Sequence, residues 1–309
     1  MKVKSLAIAL GLAFGAFAAQ AAPISLTPGP VYIQFNNIEQ AGLIDTSGFS
    51  NIDLNGDGTN DLTTGRSEFN WGVFNVSSVQ AGAVATNHED IGGGPNYFSN
   101  AGPGNPQVSG IFYGFQLGSG PTKLTGGWID LYWNDVNTIS ASDTVGGATF
   151  LPSQRTDWNQ AGKFTTGALL ARLQYGSGVI NGDATTTVSS TVDPLNLSGT
   201  GIADGFANVV DINNDGVINS LDGAWAGAID TDWFFVDPNG NGVKGEVGET
   251  RDLRFSTLFQ NLDAWDGTNV QGLRSNDPAR AFAIPEPGIL ALMGVALLGV
   301  GVTRRRRSV

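Results

Sequence analysis

The sequence predicts an all-β protein: an antiparallel β-sandwich of jelly-roll type with a loop-rich insertion, an N-terminal signal helix and a C-terminal transmembrane helix. Three observations carry this. Apolar residues alternate with polar ones in many short segments, which is the strand period. Gly (44 residues) and Pro (13) punctuate those segments, while charged residues make up only 14% of the chain, a balance that suits short strands joined by tight turns. Seven Trp and seventeen Phe supply a core and argue against disorder.

The segments run in order along the chain. In "VYIQF", Val31, Ile33 and Phe35 fall on one face. In "FNWGVFNV", Phe69, Trp71 and Val73 share a face, with Phe74 and Val76 opposite. "IFYGFQLG" aligns Ile111, Tyr113, Phe115 and Leu117, and "WIDLYW" aligns Ile129, Leu131 and Trp133. "LLARLQY" also fits a helix face through Leu169, Leu170 and Leu173, but flanking glycines and the Thr/Val run that follows favour a strand. "TTTVSSTV", "DWFFV" and "LRFSTLF" complete the set. The region from 203 to 250, dense in Asp, Asn and Gly, reads as the insertion. Many short antiparallel strands of this kind suit a sandwich.

The ends of the chain carry addresses. Lys2 and Lys4, the apolar run "SLAIALGLAFGAFA" and the small-x-small sequence Ala19–Ala21 form a signal peptide over residues 1–21; the alternative is an uncleaved anchor helix. The body is 22–283. At 284–309, Pro285-Glu286-Pro287 precedes an apolar stretch from Gly288 to Thr303 and four arginines, Arg304, Arg305, Arg306 and Arg307. That order is a stop-transfer anchor with its cations on the cytoplasmic side. It resembles the PEP-CTERM sorting tag. The resemblance implies an exosortase partner, a transient inner-membrane anchor and release to the cell surface or extracellular matrix. "GGWIDLYW" (126–133), "ADGFANVVD" (203–211) and "DLRFSTLF" (252–259) are similar to strand phrases of PEP-CTERM β-proteins of the flocculation and matrix type.

Without Lys2, Lys4 and the four terminal arginines, ten bases face 28 acids, a net charge of about −18. Nucleic acid is excluded as a partner, and the membrane is met only through the C-terminal tail. The chain has no cysteine, so an exported body must be held by its core, by metal or by both.

Three stretches have the spacing of a calcium loop. The first offers Asp53, Asn55, Asp57 and Asp61, with the Thr59 carbonyl. The second offers Asp211, Asn213, Asp215, Asn219 and Asp222, with the Val217 carbonyl. The third offers Asp237, Asn239 and Asn241, with Glu246 or Glu249. Ca²⁺ takes six to eight hard oxygens. Odd positions of a coiling loop turn their oxygens inward, and the sharp turn at position six favours Gly58, Gly216 and Gly242. Ile218, at position eight of the second loop, is placed to pack underneath. The alternative is a set of solvated Asx turns between strands. The first loop resembles thrombospondin type 3 and integrin-type loops, and the second a dockerin loop. Gly223 and Gly227 then stand where a dockerin exit helix needs helix formers, so no cohesin partner is implied.

Other chemistry has little support. His88 is the only histidine, which rules out Cys/His zinc sites, and no G-x-S-x-G elbow or phosphate-binding loop is present. Asp130 with Asp135, or Asp230 with Asp232, are the carboxylate pairs available to a glycosidase, but chance proximity among 28 acids explains them. Trp128, Trp133, Trp158, Trp225, Trp233 and Trp265 include any sugar-stacking platform. The expectation is a non-enzymatic structural protein of the matrix, in biofilm or flocculation, with Ca²⁺-stabilised loops. The rivals are a carbohydrate-binding module for exopolysaccharide and a calcium-dependent polysaccharide hydrolase or lyase.

Overall fold

The computed structural model describes residues 23–283, apart from 85–90, 93, 103, 136–137, 141–142 and 144–148. The signal segment, His88 and the tail from residue 284 lie outside the described residues.

The strands are β1 (Gly29–Ile44), β2 (Glu68–Ala81), β3 (Ala83–Val84), β4 (Ile91–Gly92), β5 (Asn96–Ser99), β6 (Gln107–Leu117) and β7 (Lys123–Asn134). They continue with β8 (Ala168–Gly176), β9 (Val188–Ser190), β10 (Thr200–Val209), β11 (Phe234–Phe235), β12 (Thr250–Arg251), β13 (Leu253–Asn261) and β14 (Val270–Ala283). Eight of them pair antiparallel in chain order, β1–β2–β6–β7–β8–β10–β13–β14. β14 then pairs back on β1 from Gly29↔Ala283 to Gly42↔Val270, and the sheet closes. The architecture is an up-and-down barrel, which corrects the sandwich. Closure removes the exposed edges that a sandwich would leave. Where β8 stops at Gly176, β9 takes its place between β7 and β10.

All eight barrel strands send side chains into one apolar cluster, which identifies that cluster as the lumen. Val31, Ile33 and Phe35 enter from β1, Ile129, Leu131 and Trp133 from β7, and Ala279, Ala281 and Ala283 from β14. One end is plugged by the short helix α1 (Ala226–Ile229) and by Trp225, whose indole N–H donates to the Ile24 carbonyl at 2.7 Å. The other end carries the β6–β7 turn and the β8–β10 connection.

The outer face of β1, β2, β6 and β7 builds a second core. Ile38, Trp71, Val73, Ile111, Tyr113 and Trp128 pack there against Phe150, Trp158, Phe164 and Trp265, which the β7–β8 and β13–β14 connections bring over the wall. Two buried ion pairs seal this layer. Arg155 grips Glu68 through both amino nitrogens and stacks over Trp71, with 4.5 Å from its guanidinium carbon to the ring centre. Arg172 grips Asp130.

Two facings differ from a strict alternation. Phe115 leaves the outer row of Ile111 and Tyr113 and enters the lumen, because Gly114 between them has φ +75° and breaks the pleat. Phe69 joins a third cluster with Phe259 and Leu273 rather than Trp71 and Val73, since the β2–β6 register slips between Asn70 and Gly72. "LLARLQY" is strand β8. "TTTVSSTV" and "DWFFV" yield only the short β9 and β11. The insertion begins after β10, at 210 rather than 203.

Candidate functional site: three matched loops and a polar cluster in the lumen

The three calcium-like stretches share one wiring. At position one, an Asp53 oxygen accepts from the Gly58 N–H at 2.8 Å, Asp211 from Gly216 at 2.7 Å and Asp237 from Gly242 at 3.0 Å. At position three, Asn55, Asn213 and Asn239 each accept from the N–H two residues on, those of Asp57, Asp215 and Asn241. At position five, Asp57, Asp215 and Asn241 accept from Thr59, Val217 and Val243. The backbone repeats as closely. Position six has φ +85°, +83° and +84° at Gly58, Gly216 and Gly242. Position four is also left-handed, at Gly56, Asn214 and Gly240. Gly and Asn are the residues that reach this region at least cost. Ile218 packs beneath the second loop against the barrel core.

The closing acids differ. The Leu54 N–H donates to Asp61 and the Ile212 N–H to Asp222, tying position two to the end of each loop. The third loop has Pro238 at that place and no N–H to give; instead the Asn239 and Asn241 amides donate to Glu246. Asp222 is fully buried, and both its oxygens accept backbone N–H groups, from Ile212 and Asn219. The Asn219 amide donates to the Val217 carbonyl, so in this arrangement Asn219 turns a donor to the loop. Burial pushes the Asp61 carboxyl up, the Leu54 N–H draws it back, and the Asp57 and Asp53 carboxylates push it up again. Among the described residues no group of three or more Asp, Glu, His or Cys side chains converges on a metal position. The oxygens these loops offer are carboxylate, amide and carbonyl, a hard-oxygen set that suits calcium rather than zinc.

The first two loops abut. A Cβ on Gly56 would lie 2.3 Å from the Ile212 carbonyl oxygen, so only glycine fits. The third stands apart, where the Gly182 N–H donates to the Asp237 carbonyl at 3.0 Å.

The other candidates are accounted for by packing. Asp130 is buried and bound to Arg172, Tyr132 and Asn159. Asp230 lies near Asp232 and Asp252; Asp252 is buried and accepts the N–H groups of Val209, Thr231 and Asp232. Six tryptophans are buried, and Trp233, half-buried, stacks on Phe282 with centroids 4.0 Å apart.

One polar cluster escaped the sequence reading. Glu39 and Asn37 of β1, Asn70 of β2 and Ser275 of β14 are all buried in the barrel wall. The Asn70 amide donates to Glu39 at 3.0 Å, and the Ser275 hydroxyl donates to Asn37 and Glu39. Burial raises the Glu39 carboxyl, against the hydrogen bonds of Asn70, Ser275 and Asn37. The signal was present: the lumen-facing alternation Val31, Ile33, Phe35 runs on through Asn37, Glu39 and Ala41.

Residues 283–307 match the PEP-CTERM protein-sorting motif. The chain carries an exosortase sorting signal. The motif spans Pro285-Glu286-Pro287 and Arg304–Arg307 and implies export, a transient membrane anchor and an extracellular destination. No helix among the described residues is long and apolar enough to cross a membrane. No curated protein and no solved structure matches the chain.

Proposed function

We propose that this PEP-CTERM protein is a non-enzymatic structural component of the extracellular matrix, acting in biofilm or flocculation, whose barrel is stiffened by Ca²⁺ in the three loops. The shared wiring carries the reading. Three loops of different sequence, in two different connections, present the same odd-position oxygens on the same backbone path. Asx turns account for the bonds at positions three and five, but the position-one bond to the sixth residue and the shared left-handed fourth and sixth residues go beyond them. A cation would neutralise the crowded acids of the body and couple binding to stability. It would also clamp the first loop to the second, and both to the outer core. Of the rivals, an exopolysaccharide-binding module has less support, because six of the seven tryptophans are buried among the described residues.

The test is cellular. Cells lacking the protein should aggregate less in calcium-containing medium, and the protein should be recovered from the extracellular matrix. Unchanged aggregation, with the protein retained inside the cell, would contradict the reading.

A further inference from the structure

The unplugged half of the lumen is not filled. A cavity of about 100 Å³ lies there, lined by Phe112, Phe115, Tyr175, Phe255 and Phe259. Phe115 and Phe255 flank Tyr175, with ring centres 4.9 and 5.2 Å from it. Pro121 and Pro194, from the β6–β7 turn and the β8–β10 connection, are among the residues that line it. Glu39, Asn37 and Asn70 also line it.

Eight-stranded barrels either fill their interior or hold one small ligand. Here the half away from the plug holds a cavity. A carboxyl buried in an apolar wall costs stability unless its oxygens are satisfied. Among the described residues, the donors to Glu39 are the Asn70 amide and the Ser275 hydroxyl, both neutral. A core position without a ligand would take an aliphatic residue more cheaply. A polar group at the wall of an apolar cavity is the usual way a pocket orients its ligand.

We propose that this half of the lumen binds a small amphiphile, its aromatic or short alkyl body among the phenylalanines and a single hydroxyl or amine head donating to Glu39. The volume is comparable to a cavity that takes up one aromatic ring. The proposal is independent of the calcium loops, which lie outside the barrel wall.

Isothermal titration of the full chain, purified without detergent, tests it with three ligands sharing one body: 2-phenylethanol, phenethylamine and ethylbenzene. One or both headed ligands should bind at least about tenfold more tightly than ethylbenzene, the worth of one hydrogen bond to a carboxyl group. The preferred head tells hydroxyl from amine. Glu39→Gln should reduce that preference in a variant that still melts cooperatively. Ala203→Phe, which fills the cavity from β10, should abolish binding of all three. Equal affinity for ethylbenzene, no binding of any ligand, or an undiminished preference in Glu39→Gln would each overturn the proposal.

Discussion

Arg172 lies against Asp130 on the outer face of the barrel, Nε on Oδ1 and Nη2 on Oδ2, both at 2.8 Å, while its remaining nitrogen reaches the Leu54 carbonyl at 3.1 Å. One side chain thereby joins β7, β8 and the first calcium-like loop. Fork-to-carboxylate geometry makes this pair strong and directional. The two charges have given up their hydration, so each depends on the other.

Arg172→Met should therefore destabilise the protein by about 3–5 kcal/mol, because it strands a buried Asp130 carboxylate. Asp130→Leu combined with Arg172→Met should recover much of that loss. Chemical denaturation of the single and double variants measures the coupling. A double variant no better than the single would show that the pair's partners, not the pair, carry the stability.

Gly56→Ala and Gly58→Ala separate backbone strain from loop contact. Both glycines have a left-handed φ, but the Gly56 Cβ would strike the Ile212 carbonyl, and nothing lies within 4 Å of the Gly58 Cβ. Gly58→Ala should cost about 1 kcal/mol from strain alone, and Gly56→Ala distinctly more, up to about 3 kcal/mol. Equal melting temperatures for the two variants would mean that the first and second loops do not press together.

Asp230 gives a pH signature. Burial first, then the Asp252 and Asp232 carboxylates, push its carboxyl up to about 6. The folded state thus holds a proton that the unfolded state releases near the ordinary carboxylate value. Its contribution is fully present below that value and is lost as pH rises through about 6. Because the group is half exposed, solvent screening limits the cost at neutral pH to about 1 kcal/mol. Asp230→Asn should raise the melting temperature by about 2–4 °C at pH 7 and change it little at pH 4. A gain of the same size at both pH values would contradict the assignment.

Much of the wall was legible in the sequence, because β1, β2, β6, β7 and β13 bury large side chains in alternation. The closure was not. β14 turns Ala279, Ala281 and Ala283 into the lumen, and these small residues are spaced among Arg274, Arg280 and other polar groups. A segment that buries so little apolar area gives no hydrophobic alternation. Without β14 to pair with β1, a barrel and a sandwich have the same period. The facings of Phe69 and Phe115 were hidden for a local reason: a slipped register and a left-handed glycine change side-chain direction without changing composition. The loops were legible to single positions, since glycine at the sixth place and oxygens at odd places follow from backbone geometry. Their closing acids were not. That Asp222 would be buried with both oxygens on backbone N–H groups depends on the loop's seat against the barrel.

The most direct measurement is thermal melting of the full chain with calcium and with EDTA, alongside Asp53→Asn and Asp211→Asn. Each substitution removes the position-one charge and keeps the shape. With calcium at about 100 times its dissociation constant, one site adds about 2.7 kcal/mol, or about 5–10 °C for a body of this size. The calcium-stiffened account predicts that rise in the wild type and a smaller one in each variant. Superimposable melting curves with calcium and with EDTA would contradict it.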